Sequence, residues 1–317
     1  MTVATTSVTT SAATSATPAR RRGRRAGGAA PYVYLAPAMT LVVLFLGLPI
    51  GYAVYLSFRA VRVSGLGLSR NARQEVWAGF GNYVRSLSDP DFLSSVGRVG
   101  LYGLLLVPTM LALLLDSERA RARGFARLAI FLPYAIPAVI ASLLWGFLYL
   151  PGVSPGAFLA ERLGVTPPDV LSSGLVLFAI ANIGLWGGVG FNMVVIFTAL
   201  KAIPRELYEA ARLDGCSEAA IAWRIKVPLV TPSLILTFLF SMIATLQVFA
   251  EPLTLRPLTN TISSTWSPLM KVYRDAFTRD DVYSAAATSV VIALATFALS
   301  FGFLRLVQRR AFSQETG

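Results

Sequence analysis

Six apolar runs dictate what this chain can fold into, because each is close to the ~20 residues that a helix needs to cross a hydrocarbon layer of about 30 Å. They are Tyr32 to Phe58, Val96 to Leu115, Phe125 to Leu150, Gly174 to Leu200, Leu229 to Ala250 and Tyr283 to Val307. Hydrophobic residues make up 55% of the 317 positions and charged residues only 14%, against about a quarter charged in soluble domains. Lipid offers no partners to backbone N–H and C=O groups, so each run is expected to satisfy its own as a helix. Pro49, Pro108, Pro133 and Pro137 fall within these runs, which membrane helices tolerate when neighbours satisfy the freed carbonyls. The pair Pro133 and Pro137 should kink the third run or widen it locally. Arg98, near the start of the second run, must snorkel or pair. The expected fold is all-α, a polytopic membrane protein with six transmembrane helices.

Charge sets the orientation. Arg20, Arg21, Arg22, Arg24 and Arg25 precede the first run, Arg119, Arg121, Arg123 and Arg127 precede the third, and Lys201, Arg205, Arg212, Arg224 and Lys226 lie between the fourth and fifth. With Arg305, Arg309 and Arg310 these are the larger share of the 28 Lys and Arg residues, and the positive-inside rule then places both termini inside. The net charge of +12 is chiefly this topology signal, and no nucleic-acid partner is expected because no recognition motif accompanies it. Residues 1–30 are low-complexity Thr, Ser, Ala, Arg and Gly, read as a disordered basic cytoplasmic tail. Residues 31–310 form the membrane domain, and 311–317 a second cytoplasmic tail. The first run is too long for a signal-peptide core of about 7 to 15 residues and lacks a small-residue cleavage site.

Several chemistries are disfavoured by what the chain lacks. It has no histidine and a single cysteine, Cys216, so no internal disulfide or cysteine metal cluster can form and the commonest general base is missing. No catalytic residues, metal ligands or cofactor of this chain are expected. No G-x-x-x-x-G-K-[ST] phosphate loop occurs, so ATP hydrolysis is not expected here. No internal repeat supports a transporter of inverted halves.

The segment between the fourth and fifth runs is compact and charged. Pro204 stands at a helix start, where its fixed φ suits the first turn. Gly215 in "LDGCS" stands where a helix ends, because the stop commonly needs a left-handed residue. Ser217 then caps a second helix with Glu218 in its first turn, and Pro228 and Pro232 are expected to redirect the chain into the membrane. Ala210 and Ala211 allow close approach of another surface, with Glu209, Arg212 and Asp214 available for polar contacts. From pattern alone, docking onto a partner and lying flat on the bilayer as an amphipathic hairpin are equally open.

The stretch "EAARLDGCSEAAIAWRIKVPLVTP" resembles the EAA loop of the membrane-spanning subunits of bacterial ABC importers. Glu209, Ala210, Ala211, Asp214, Gly215, Ile225 and Pro228 fall on its pattern; Cys216 stands where alanine is usual and Trp223 where phenylalanine is common. From about residue 32 onward, "YLAPAMTLVVLFLGLPIGYAVYLSF", "RGFARLAIFLPYAIPAVIASLLWGFLY" and "TLQVFAEPLTL" look like the carbohydrate-uptake branch, in particular the first permease of maltose- and glycerol-phosphate-type systems. The resemblance implies that the loop over 204–228 is a cytoplasmic helical coupling hairpin. It also implies four kinds of partner: a second permease subunit, a cytoplasmic ABC ATPase dimer, an extracytoplasmic solute-binding protein and the lipid of the bacterial cytoplasmic membrane.

Polar side chains inside spanning segments are candidates for the solute path, since they are costly in lipid. Asn182, Asn192 and Gln247 can bond sugar hydroxyls, Trp186 and Phe249 offer flat faces to a sugar ring, and Glu251 lies near the outer boundary. The competing reading is that they bridge and pack helices. The expected function is a permease for a sugar or oligosaccharide; alternatives are a non-carbohydrate cargo such as a phosphorylated polyol, and a standalone ion-coupled transporter. The latter would need intramembrane acid and base relays, which the runs hardly contain.

Overall fold

A computed structural model describes residues 30–63, 73–116 and 128–312. Residues 1–29 and 313–317, which hold nearly all of the two expected tails, lie outside them. The chain divides into two units at Pro49 and Ile50. The first contains α1 (Ala30–Val42), a π-helical turn at Val43–Gly47 and the start of α2 (Leu48–Ser57), and the side chains described in it are exposed.

The second unit begins with the rest of α2 and then departs from an all-α fold. β1 (Arg59–Val63) and β2 (Arg73–Trp77) pair antiparallel, Arg59 opposite Trp77. Both strands lie outside the apolar runs, where water can satisfy edge groups, and the valines of "RAVRV" have the β-branching that a pleated surface accepts. Phe58 stacks on Trp77 at 5.5 Å and meets Phe80 and Tyr83 at 5.5 and 5.4 Å, so the rings of "WAGFGNY" gather around it.

Helices follow: α3 (Gly81–Ser88), α4 (Pro90–Asp116), α5 (Leu128–Ala135), α6 (Ala138–Tyr149), α7 (Pro155–Arg162) and α8 (Val176–Lys201). After them come α9 (Arg205–Leu213), α10 (Glu218–Ile221), α11 (Val227–Leu246), α12 (Ala250–Leu255), α13 (Pro268–Tyr273) and α14 (Val282–Phe312). Among the described residues four helical stretches are long and apolar enough to cross a bilayer: Tyr32–Ser57, Val176–Lys201, Glu218–Leu258 and Val282–Val307. The pair α5 and α6 makes a fifth if it is one span. α4 has 27 residues, about 40 Å of helix, with its side chains described as far as Leu106.

Two expectations need correction. The kink expected at Pro133 and Pro137 is present, but the third run is not a single helix over 125–150: α5 and α6 are bent by 109°. Pro137 lacks an N–H and pushes Ile136 into extended backbone at ψ 126, as a residue preceding proline prefers. Nor do Pro228 and Pro232 redirect the chain. Helix continues from α10 through a π-helical turn at Ala222–Lys226 into α11. Pro228 follows that turn by two residues, as Pro49 follows the turn at Val43–Gly47. A π turn widens the ring of backbone atoms where a proline would otherwise strike a carbonyl one turn back.

The core is organised around α8, which packs against α4, α5, α6 and α11. Ile180, Ile183, Met193 and Ile196 on α8 are buried. Glycines let its neighbours approach. A Cβ on Gly190 would lie 2.9 Å from the Ile130 carbonyl oxygen and 3.1 Å from Phe131 Cα, and one on Gly184 would collide with Tyr102 Oη.

At the start of α4, a set of ion pairs fastens α13 and the residues after it. Lys271 and Asp275 are 2% and 3% exposed and 2.5 Å apart; Lys271 also meets Asp89 at 3.1 Å, and Arg274 bridges Asp275 and Asp91. Arg98, expected to pair, donates to the carbonyls of Thr265 and Trp266, both at 2.9 Å. Burial is the largest single influence on Asp89 and opposes its ionisation, but the hydrogen bonds from Lys271 and the Asp91 N–H together with the charges of Lys271 and Arg274 outweigh it and hold the carboxyl below its ordinary value. A depressed carboxylate stabilises the fold above its unfolded pKa and loses that contribution only as pH falls through the folded one. The Asp89 contribution should therefore hold from pH 8 down to pH 5. Lys271→Met should lower stability by about 3 kcal/mol, since it strands buried carboxylates; an unchanged thermal midpoint for the purified variant would show that the pairs do not carry load.

Candidate functional site

A cavity of about 770 Å³ opens between α4, α5, α6, α8, α11 and α12. Its wall on α8 is the stripe Gly184, Gly187, Gly188, Phe191 and Asn192, residues that share one face at helical spacing. Nothing lies within 4 Å of a Cβ placed on Gly187, so that glycine leaves room, whereas Gly184 and Gly190 serve close packing. From α11 come Phe240, Ser241, Ala244 and Thr245, and from the break after it Gln247, Val248 and Phe249, with Glu251 in the first turn of α12. The break at Gln247 to Phe249 interrupts the helix, with Phe249 at φ −148, and turns Gln247, Phe249 and Glu251 toward the same space.

The cavity has two characters. Tyr134, Phe191 and Phe240 form an aromatic group with ring centroids 5.6 and 5.9 Å apart. Tyr102, Asn192, Ser241, Thr245, Gln247 and Glu251 supply polar atoms. Asn192 donates to the Gly188 carbonyl at 3.0 Å and Thr245 to the Ser241 carbonyl at 2.8 Å, bonds within their own helices that orient the side chains. Together these groups can bond hydroxyls and cover an apolar ring face.

Of the six residues singled out from sequence as solute-path candidates, Asn192, Gln247, Phe249 and Glu251 line this cavity. Asn182 and Trp186 are not among its lining residues. Asn182 donates to Tyr149 Oη at 2.9 Å, which donates to the Ala179 carbonyl, and Trp186 packs edge-on against Trp145. Sequence reasoning missed Tyr102, Tyr134, Phe191, Phe240, Ser241 and Thr245. A readable signal existed for two of them: Ser241 and Thr245 put polar atoms four residues apart, on one helix face, within an otherwise apolar run.

The other candidate region is the turn between α9 and α10. Cys216 N–H donates to the Ala211 carbonyl and Gly215 N–H to that of Arg212, with Gly215 at φ +79, the paired closure of a helix on a left-handed glycine. Ser217 Oγ accepts from Ala220 N–H at 3.2 Å, and Arg212 meets Glu218 across the turn at 2.9 Å. Glu209, Ala210, Asp214, Gly215 and Pro228 are exposed, Ala211 is buried, and Ile225 is half-buried. Lys226 lies 5.6 Å from the Tyr208 ring centroid. This is a short, rigid, charged hairpin with Leu213 exposed at its tip.

Residues 108–313 match the family model described as "Binding-protein-dependent transport system inner membrane component". The chain belongs to that family. It is a multi-pass membrane protein similar to the sn-glycerol-3-phosphate transport system permease protein UgpA of Agrobacterium fabrum, 29% identical, and to that of Brucella abortus, 30% identical. Each alignment covers 88% of this chain and 95% of the relative. Among solved structures, the fold is similar to a chain of a bacterial ABC transporter "involved in the import of the acidic polysaccharide alginate", with a TM-score of 0.74 at 19% identity over 88% of this chain and 95% of that one. A second alginate ABC transporter structure, in complex with an alginate pentasaccharide-bound periplasmic protein, matches with a TM-score of 0.73 at 18% identity.

Proposed function

We propose that this chain is the membrane-spanning permease subunit of an ATP-driven, solute-binding-protein-dependent ABC importer for a sugar or oligosaccharide. The observation that carries the cargo class is the cavity, where hydroxyl-bonding groups face an aromatic wall within one helical bundle. In this reading the chain crosses the bacterial inner membrane six times, with both termini and the 204–228 hairpin on the cytoplasmic side. A second permease completes the pore, and a separate ATPase dimer supplies the energy, since this chain carries no phosphate loop. The hairpin is where the ATPase docks, through Glu209, Ala210, Ala211, Asp214, Gly215, Ile225 and Pro228. Movement there tilts the helices around the cavity as rigid bodies and changes the side to which it opens. No cofactor of this chain is required. The names of the relatives in Agrobacterium and Brucella support a second reading, a phosphorylated polyol as cargo.

The test is reconstitution. Proteoliposomes holding this chain with its second permease and ATPase, supplied with solute-binding protein and ATP, should accumulate solute; omission of the ATPase should reduce uptake to the level of empty liposomes. ATPase-independent uptake driven by an ion gradient would overturn the proposal in favour of a standalone transporter.

A further inference from the structure

The charge pattern of the cavity narrows the cargo. Its described lining residues include one carboxylate, Glu251, and no lysine or arginine. Arg98 on α4 is engaged with the carbonyls of Thr265 and Trp266, and Lys271 and Arg274 with Asp89, Asp91 and Asp275, while Arg256, which follows α12, is exposed and not among the lining residues. A phosphate or uronate entering this space would leave its preferred partners, since such anions are held by arginine, lysine or arrays of N–H donors, and an unpaired anion removed from water is costly. It would also approach a like charge.

We infer that Glu251 is a specificity-determining residue that turns anions away, so that this half of the pore accepts uncharged polyhydroxylated solutes. A neutral sugar suits the same groups. Its hydroxyls donate to the Glu251 carboxylate and exchange bonds with Gln247, Ser241 and Thr245, while its C–H face lies on Phe249 or Phe191. Charge-assisted bonds of this kind are stronger than neutral ones. The inference rests on the permease reading and separates this chain from the cargo named for its relatives: sn-glycerol-3-phosphate is an anion and alginate an acidic polysaccharide.

The experiment uses the assembled importer in nanodiscs and two probes of matched size, a neutral glucose trisaccharide and trigalacturonate, with binding followed by equilibrium dialysis. The wild type should bind the neutral trisaccharide more tightly. Glu251→Gln should shift the ratio of affinities toward trigalacturonate by at least about tenfold, the effect of removing one nearby like charge from a partly desolvated site. Glu251→Asp, which keeps the charge on a shorter stem, should retain the wild-type preference for the neutral probe. An unchanged ratio in Glu251→Gln, or binding of neither probe, overturns the inference. ATP-driven uptake of trigalacturonate by the wild type in proteoliposomes also overturns it while leaving the permease reading intact. Absence of ATP-driven uptake of every solute by a fully assembled importer defeats the permease reading itself.

Discussion

Gly190→Val is expected to destabilise the bundle by about 3 kcal/mol, the upper end of what overpacking a tight interior contact costs. The reason is the identity of the atoms that the new side chain would meet. A Cβ at this position lies 2.9 Å from the Ile130 carbonyl oxygen, 3.0 Å from Tyr134 Cβ and 3.1 Å from Phe131 Cα. Two of these are backbone atoms and the third is fixed to backbone, so no rotamer change relieves the clash and α5 must separate from α8. In a bilayer, where close packing rather than water exclusion holds helices together, that separation removes the contact outright. Gly187→Ala on the same helix is the control, since nothing lies within 4 Å of its Cβ. Thermal unfolding of detergent-purified protein should show a midpoint lowered by roughly 5 °C or more for Gly190→Val and little change for Gly187→Ala. Equal midpoints would mean that α5 and α8 are not in contact at this glycine.

Glu209→Ala and Gly215→Val should each reduce ATP-dependent uptake to background while the protein still inserts in the membrane. Glu209 is exposed on α9, so its loss removes surface charge without opening a cavity in the core. Gly215 sits at φ +79, a conformation that costs an L-residue roughly 1 to 2 kcal/mol and a β-branched one more. Valine there would open the turn and misalign α10 with α9, yet the turn is exposed and lies away from the packed face of α8. Uptake by proteoliposomes and stimulation of the ATPase by solute-loaded binding protein are the paired measurements. Normal uptake by either variant would remove that residue from the proposed coupling surface.

The positions of the two kinds of candidate show why some sites were readable and others were not. Gly215, Ser217 and Pro204 act through their own backbone preferences and bonds a few residues away, so their geometry is written locally. Asn182 and Asn192 carry the same signal in sequence, a polar amide in an apolar run, but stand ten residues apart on α8. At 100° per residue that is a rotation of about 280°, which sends Asn192 into the cavity and Asn182 to Tyr149. Which face of α8 meets the cavity depends on the helices around it. Ser241 and Thr245 were legible as a polar stripe, whereas Phe191 and Phe240 were not, because aromatics facing a cavity and aromatics filling a core look alike in sequence.

The prolines show the same division. Pro133 and Pro137 announce that the third run is interrupted, but the bend of 109° is set by how α5 lies against Gly190 and α6 against α12. Pro228 announces an interruption that does not occur, because the preceding π turn widens the backbone around it. By itself, the sequence determined that the chain is a bundle of apolar helices and where charged turns punctuate it, since lipid forces every backbone group to be satisfied within its own segment. Only the tertiary structure decided where the cavity opens, which glycines are space and which are contacts, and that among the described lining residues one carboxylate stands without a cation, because those properties depend on which helix faces meet.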